Sequence, residues 1–192
     1  MMRIITGRAR GVKLATLEGE QTRPTAERAK EAVFSMLQFE IEDRRVLDLF
    51  AGSGQLGLEA VSRGAGSATL VDRSREAIEV IKKNCLKTRL APECEVICAD
   101  YKEFLRSCHG KKRYDLVFLD PPYAMRVIPS VLERLVELDL LNDGAKIVCE
   151  TGDPDAVFDA NSDIERYFSV LRQSHYGVAH VTVLEFIKEK AE

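Results

Sequence analysis

The sequence has 192 residues, of which 45% are hydrophobic and 31% are charged, as in an ordinary globular chain rather than a disordered or fibrous one. No apolar run approaches the roughly 20 residues that a membrane-spanning helix needs, and the N-terminus lacks the apolar stretch of a secretory signal. The formal net charge of −3 argues by itself against a nucleic-acid-binding protein.

The charge is unevenly distributed along the chain, however. Residues 1–30 carry seven basic and three acidic side chains, whereas the remainder carries 21 basic and 28 acidic ones. A basic arm on an acidic body can restrict phosphate binding to one face of a protein. A solvated surface would give the same charge pattern, so this feature alone leaves both interpretations open.

The N-terminal region precedes the first core strand. Two strand-like segments flank the sequence GRARG and predict a β-hairpin over residues 3–6 and 12–16. Thr25 is the expected N-cap of a following helix, with Pro24 before it and Glu27 in its first turn. Apolar residues at helical spacing mark the buried face of this helix, namely Ala26, Ala29, Val33, Met36 and Leu37.

From residue 46 onward, short apolar strands alternate with helical patterns. Strands are predicted over 46–50, 68–72, 95–99, 114–119 and 145–150. Helices are predicted over 56–63, 102–108 and 128–138, and another is marked by Ile78, Ile81, Cys85 and Leu86. The fourth strand is almost wholly apolar, as expected for burial on both faces of a parallel sheet. This alternation predicts a doubly wound α/β sheet with right-handed crossovers.

The C-terminal region breaks the alternation. Residues 167–176 and 180–188 are strand-like and too close together for an intervening helix, so they should form an antiparallel hairpin. Such an end is unusual for dinucleotide-binding domains and typical of class I methyltransferases, which the chain resembles here. The predicted fold is a Rossmann-like α/β sheet of seven strands, mostly parallel, with a C-terminal antiparallel hairpin and a small N-terminal hairpin and helix.

No linker divides the chain, so we expect a single domain over residues 1–192, with an N-terminal extension at 1–38 and a catalytic core at 44–190. The five cysteines are odd in number and contain no C-x-x-C pair. They indicate reduced structural thiols in a cytoplasmic protein.

The loop after the first core strand is the most informative stretch. In DLFAGSGQLGLEA, Gly52, Gly54 and Gly57 fit G-x-G-x-x-G, and Asp72 follows about 20 residues later, as in a dinucleotide-binding fingerprint. A nicotinamide-dependent oxidoreductase is therefore one interpretation. Asp48 argues against it, because a carboxylate beside the loop would repel a pyrophosphate and attract an ammonium group.

A second motif, Asp120-Pro121-Pro122-Tyr123, ends the fourth strand at the same edge of the sheet. Asp120 and a backbone carbonyl can accept both N–H bonds of an exocyclic base amine and hold its nitrogen towards an electrophile. The two prolines stiffen the backbone, and Tyr123 can stack on the base. The alternative is a plain strand-ending turn, which the position beside the glycine loop disfavours.

The order DLFAGSG, VDRS, CADY, DPPY resembles the S-adenosylmethionine-dependent amino-methyltransferases. Within these, GRARGVKL, TRPTAERAKEAVFSML and LGLEA with SRGA resemble the RsmD type, bacterial enzymes that methylate N2 of a guanine in 16S ribosomal RNA. The segment Arg23-Pro24-Thr25 is the most specific part of the resemblance, whereas Gln55 stands where a small residue is expected. Asp-Pro-Pro-Tyr alone does not separate guanine N2 from adenine N6, so an adenine-N6 methyltransferase is the alternative.

The resemblance implies S-adenosyl-L-methionine as the cofactor, 16S ribosomal RNA in the small ribosomal subunit as the partner, and a monomer that needs no metal. The cofactor would be bound by Thr25, Asp48, Phe50, Ala51, Gly52, Ser53, Gly54, Asp72, Arg73, Asp100 and Tyr101. The catalytic residues would be Asp120, Pro121, Pro122 and Tyr123. RNA would be contacted by Arg8, Arg10, Lys13, Arg23 and Arg28.

Within this set, Asp48 should face the methionine ammonium and Asp72 both ribose hydroxyls. Asp100, with the backbone of Tyr101, should face the adenine amine. Simpler interpretations exist, since Asp72 could merely end a strand, Asp100 could be a helix N-cap and Tyr101 could be a packing residue. A non-catalytic RNA-binding module would explain the basic arm but leave the two motifs without a role.

Overall fold

A computed structural model describes residues 2–17, 24–159 and 163–188, with side chains described from residue 27 in the first helix. The helices are α1 (Pro24–Met36), α2 (Gln55–Ser62), α3 (Arg75–Thr88), α4 (Tyr101–Cys108) and α5 (Ile128–Glu137). The strands are β1 (Arg45–Asp48), β2 (Ser67–Asp72), β3 (Cys94–Cys98), β4 (Tyr114–Leu119), β5 (Leu141–Thr151), β6 (Phe168–Tyr176) and β7 (Ala179–Phe186).

The strands form one seven-stranded sheet in the order β3-β2-β1-β4-β5-β7-β6. Strands β1 to β5 are parallel, and β7 pairs antiparallel with both β5 and β6. The predicted parallel sheet with a C-terminal antiparallel hairpin is therefore confirmed. The strand order reverses beside β1, which pairs with β2 on one side and β4 on the other. In open α/β sheets, ligands bind at this switch point, outside the carboxyl ends of the strands.

Apolar side chains cover both faces of the sheet. Phe34 of α1, Leu58 of α2 and Ile81 of α3 are buried on one face, and Leu105 of α4 and Leu132 of α5 are buried on the other. Each such side chain contributes about 1.5–3 kcal/mol by leaving water, so helix packing on both faces holds the strand ends in place. Among the helices that the structure describes, none is both long and apolar enough to cross a membrane.

Three local predictions were wrong at the level of single residues. Helix α1 begins at Pro24, so Thr25 lies inside its first turn and is not the N-cap; proline is common at this first position because its missing N–H is not needed there. Leu86 is 72% exposed rather than part of the buried face of α3. Strand β5 begins at Leu141, before the predicted residue 145, because its pairing with β4 continues past a register shift to Tyr114.

The predicted N-terminal β-hairpin is present in a short form: Arg3 and Lys13 form an antiparallel bridge, and the N–H groups of Ile4 and Leu14 donate to the carbonyl oxygens of Val12 and Met2, each at 3.0 Å. Helix α2 provides other partners for the next two residues of the predicted first strand. The backbone N–H groups of Ile5 and Thr6 donate to the carboxylate of Glu59, at 2.7 and 3.0 Å. Gly7 lies against the end of the same helix, where a Cβ atom would sit 1.8 Å from the carbonyl oxygen of Ser62.

Two buried polar side chains anchor this N-terminal segment to the core. Glu59 is fully buried and also pairs with Arg63 (2.8 Å) and Lys30 (3.9 Å), so its charge is compensated. Asn84 of α3 is likewise fully buried and binds the backbone of Ala15 through both ends of its amide, at 2.8 and 2.9 Å. These contacts place the chain just after Ala15 at the carboxyl edge of the sheet.

Candidate active site

A cavity of about 510 Å³ opens at the carboxyl edge of the sheet, at the switch point beside β1. The predicted residues in its wall are Asp48, Phe50, Ala51, Gly52, Ser53, Asp72, Arg73, Asp100, Tyr101, Asp120, Pro121, Pro122 and Tyr123. The wall also contains residues that were not predicted, namely Leu17, Leu49, Gln55, Leu56, Ala99 and Met125. The sheet therefore brings the glycine loop and the Asp-Pro-Pro-Tyr segment to one site.

The three glycines of the loop have different roles. Gly52 and Gly54 adopt positive φ angles of 54° and 79°, a backbone region that favours glycine, and Gly54 is the N-cap of α2. Gly57 instead allows close packing, because a Cβ atom there would lie 2.5 Å from the side chain of Leu70 on β2. Gly54 lies outside the cavity wall. It affects the shape of the wall because the loop turns into helix α2 at this residue.

Asp48, at the end of β1, is 1% exposed and accepts a hydrogen bond from the backbone N–H of Gly57 at 2.9 Å. Burial raises the pKa of Asp48 to about 7, although the bond from Gly57 acts in the opposite direction. The carboxyl group is therefore balanced between its neutral and ionised forms near neutral pH. A cation in the cavity would favour the ionised form, and an anion would oppose it.

Asp72 and Asp100 also hold the local backbone. Asp72 accepts from the N–H groups of Gly52 (3.0 Å) and Ser74 (2.8 Å), which ties the glycine loop to the end of β2. Asp100 caps α4 by accepting from the N–H of Lys102 at 2.9 Å, so the helix-cap interpretation is correct even though Asp100 also lines the cavity. An ionised carboxylate accepts several hydrogen bonds, so these contacts leave capacity for a ligand.

Tyr101 is buried and packs on Phe50, with ring centroids 5.5 Å apart. It is thus a packing residue in the wall. Among the residues of the wall that the structure describes, the charged side chains are four carboxylates (Asp48, Asp72, Asp100, Asp120) and one guanidinium (Arg73). This excess of acceptors and negative charge suits a ligand rich in hydroxyl, amino and ammonium donors better than one carrying phosphates.

The Asp-Pro-Pro-Tyr segment follows β4 directly, and Tyr123 begins a short 3₁₀ turn. The Tyr123 ring is 40% exposed, and its hydroxyl donates to Oε1 of Glu150 at 2.8 Å. Its ring lies so close to Gly152 that a Cβ atom at that glycine would be 2.8 Å from the ring. The ring is therefore held by the hydrogen bond of its hydroxyl and by the contact with Gly152, while part of it faces solvent.

The predicted RNA-binding residues are only partly described. Arg8, Arg10, Lys13 and Arg28 are exposed, and Arg8 forms an ion pair with Glu93 at 2.6 Å. Arg23 lies outside the described residues, as does the side chain of Thr25. Contact of these side chains with RNA stays a prediction.

Several polar residues at the site were not recognised from the sequence. Glu150 lies at the end of the fifth predicted strand, to which no role was assigned, and Asn84 lies on the buried face of α3. Asn84 donates to the backbone carbonyl of Ser53 at 2.9 Å and thereby connects the glycine loop to Ala15. A single asparagine or glutamate in an amphipathic pattern gives no signal of such a partner, because the contact spans distant parts of the chain.

Known proteins resemble the chain over most of its length. Residues 2–185 match the family model described as Conserved hypothetical protein 95. The chain is 38% identical over 151 residues, 78% of each protein, to the Ribosomal RNA small subunit methyltransferase D of Haemophilus influenzae. The solved structure of yhhF from Escherichia coli is 29% identical, with a TM-score of 0.84 and coverage of 98% of this chain and 99% of that one.

A more distant solved structure shares the fold alone. It is an RNA methyltransferase from Salinibacter ruber in complex with S-adenosyl-L-homocysteine, 15% identical, with a TM-score of 0.64 and coverage of 90% of this chain and 97% of that one. The predicted class I methyltransferase fold is confirmed by this likeness and by the strand order.

Proposed function

The chain belongs to the Conserved hypothetical protein 95 family, that of the RsmD-type methyltransferases, and from this premise we propose that it methylates the exocyclic N2 amine of a guanine in 16S ribosomal RNA with S-adenosyl-L-methionine as methyl donor. One observation carries the proposal. A cavity with an acidic wall and a glycine loop meets an Asp-Pro-Pro-Tyr segment at one edge of the sheet.

The cavity wall suits this cofactor through the chemistry of its acceptors. Asp48 would hold the ammonium group, Asp72 the ribose hydroxyls, and Asp100 the adenine amine. When bound, S-adenosyl-L-methionine supplies a methyl group that is attached to a positively charged sulfur. Once the methyl group has moved to the amine nitrogen, the cofactor leaves as a neutral thioether. Four carboxylates in the wall favour a positively charged ligand and disfavour the pyrophosphate of a nicotinamide dinucleotide.

The residues of the Asp-Pro-Pro-Tyr segment act on the target amine. Its nitrogen lone pair is delocalised into the base, so orientation and stabilisation of developing positive charge are what the protein must provide. Asp120 and the carbonyl of Pro121 accept the two N–H bonds and point the nitrogen towards the cofactor. Tyr123 stacks on the base, and the bond from its hydroxyl to Glu150 limits movement of the ring.

Two other functions are less well supported. A nicotinamide-dependent oxidoreductase would use the glycine loop but leave Asp120 to Tyr123 without a role. A non-catalytic RNA-binding module would leave the whole cavity unused. Adenine N6 is the second candidate target, because the Asp-Pro-Pro-Tyr segment accepts any exocyclic amine.

The partner and location follow from the proposed substrate. The relative from Haemophilus influenzae is named for the ribosomal small subunit, and a ribosomal substrate would place this protein in the cytoplasm. The exposed Arg8, Arg10, Lys13 and Arg28 would contact RNA phosphates. We propose that the protein acts as a monomer and as a single domain.

The test uses methyl-labelled S-adenosyl-L-methionine with unmodified small subunits, free ribosomal RNA and DNA, followed by mapping of the labelled nucleotide. Asp120→Ala should abolish methyl transfer while S-adenosyl-L-homocysteine still binds, because Asp120 is assigned to the target amine and the three other carboxylates of the wall, which are assigned to the cofactor, stay in place. Tight binding of NADH without binding of S-adenosyl-L-homocysteine would refute the proposed function.

A further inference from the structure

A second cavity of about 380 Å³ lies next to the first one. The two cavities share the wall formed by Pro121, Pro122 and Tyr123. The far side of the second cavity is formed by the end of β5 and the turn that follows, including Glu150 and Gly152. A base that stacks on Tyr123 with its amine towards the first cavity would therefore lie next to Glu150.

The pairing of β4 with β5 places Glu150 beside the catalytic segment. Leu119 and Cys149 are register partners on these parallel strands, whose usual spacing is about 4.8 Å, and Asp120 and Glu150 are the residues that follow these two along the chain. Glu150 also accepts the hydroxyl proton of Tyr123 through Oε1 at 2.8 Å. Two carboxylates thus flank the position at which the amine side of a base would lie.

The bases differ in the atom next to their exocyclic amine. In guanine, the carbon that carries N2 lies between N3, an acceptor, and N1–H, a donor, so a donor is available on the N1 side of the amine. In adenine, N6 is adjacent to N1, and in cytosine, N4 is adjacent to N3; both of these ring nitrogens are acceptors. An ionised carboxylate only accepts hydrogen bonds, so a carboxylate beside the amine pairs with guanine and faces a lone pair in the other two bases.

We propose that Glu150 is the residue that selects guanine over adenine and cytosine, by accepting the N1–H of the base whose N2 amine is held by Asp120 and Pro121. This inference rests on the proposed function. It gives the site a way to distinguish guanine from adenine, which the Asp-Pro-Pro-Tyr segment alone does not provide. The bond from Tyr123 keeps the carboxylate in the second cavity, and an ionised carboxylate has further lone-pair positions for a base N–H.

The surroundings of Glu150 act on this discrimination in two ways. The side chain is half-buried, and burial raises the pKa of Glu150 while the hydroxyl of Tyr123 acts in the opposite direction. Partial removal from water makes a hydrogen bond to the carboxylate more favourable and a misplaced lone pair more costly. A base that cannot donate at this position would therefore be rejected rather than tolerated.

The experiment compares guanine with 2-aminopurine, which keeps the amine at C2 but has a lone pair at N1. Small subunits are reconstituted with 16S ribosomal RNA that carries guanine, 2-aminopurine or adenine at the mapped target position. The wild type should prefer guanine over 2-aminopurine by about 100-fold or more in kcat/KM, because a site built to bind a donor rejects an analogue that lacks it.

Glu150→Gln is the informative variant, since it keeps the shape of the side chain and its amide can donate to N1 of 2-aminopurine. It should lower the preference for guanine by about tenfold or more, with the affinity for S-adenosyl-L-homocysteine unchanged. The control Tyr123→Phe removes only the hydroxyl that binds Glu150. It should slow the reaction on both bases and, because the hydroxyl helps to hold Glu150 in place, lower the preference for guanine less than Glu150→Gln does.

The outcomes separate the inference from the function on which it rests. If wild-type protein forms no N2-methylguanosine on the guanine substrate, the proposed function fails. If it does, and Glu150→Gln slows guanine and 2-aminopurine equally, then Glu150 only supports Tyr123 and the inference is wrong. A changed preference with normal cofactor affinity would establish Glu150 as the specificity-determining residue.

Discussion

Replacing Asp48 by Asn should remove the pH dependence of cofactor binding. Asp48 lies in the cavity wall, is almost completely buried, and has a pKa raised to about 7 by that burial. An ammonium group on the ligand would favour the ionised form of Asp48. Binding should therefore be coupled to release of a proton wherever the free protein holds Asp48 in its neutral form.

The expected size follows from the pKa. The ionised fraction of Asp48 in the free protein falls from about nine-tenths at pH 8 to about one-tenth at pH 6, which weakens binding about tenfold, or about 1.4 kcal/mol. Calorimetric titration with S-adenosyl-L-homocysteine, which carries the same ammonium group, measures this change. Asp48→Asn should bind more weakly at pH 8 and should show no comparable slope between the two pH values.

The same pKa shift makes the free energy of unfolding change with pH in the opposite direction to cofactor affinity. Because the pKa of Asp48 is raised in the folded protein, the folded state holds more protons than the unfolded state between about pH 4 and pH 7, and the free energy of unfolding falls as pH rises through this range. Asp48→Asn should thus be more stable than the wild type at pH 8 in urea denaturation. Asp100→Asn is the matched control, since it leaves both Asp48 and the neighbouring charge of Asp72 intact and should keep the pH slope of binding. Equal wild-type affinity at pH 6 and pH 8 would refute this reasoning.

Three further predictions concern the surroundings of the site. Gly152→Ala should displace the neighbouring tyrosine ring and lower kcat about 10- to 100-fold with cofactor affinity unchanged; an unaltered kcat would contradict the tight contact. Glu59→Gln should lower the free energy of unfolding by about 3–5 kcal/mol in urea, against at most about 0.5 kcal/mol for the exposed control Glu79→Gln. Arg8→Ala with Arg10→Ala should reduce the slope of log affinity for RNA against log salt by about 1.5, and an unchanged slope would show that these residues do not contact RNA phosphates.

The fold could be predicted from the sequence because its signals are local. The apolar runs that correspond to β1, β2 and β4 end at glycine, aspartate or proline. Their alternation with helical patterns is compatible with few arrangements of strands and helices. The short spacer between β6 and β7 likewise left only a hairpin. The N-terminal segment was predicted less well, because its backbone donors bind Glu59, and no local pattern signals a partner more than fifty residues away.

The candidate site was predictable where a motif ends a strand. Asp48, Asp72 and Asp120 each follow an apolar run, and parallel strands bring such positions to one edge. Glu150 was missed although it lies near the end of β5, because no motif surrounds it. Its position became informative only through its register with β4 and its bond to the hydroxyl of Tyr123.

Mapping of the methylated nucleotide tests the central claim most directly. Unmodified small subunits are incubated with the protein and methyl-labelled S-adenosyl-L-methionine, and the RNA is then digested to nucleosides and separated. We expect label in N2-methylguanosine from a single position of 16S ribosomal RNA, and no label with Asp120→Ala. Label in N6-methyladenosine, or transfer that survives in Asp120→Ala, would contradict it.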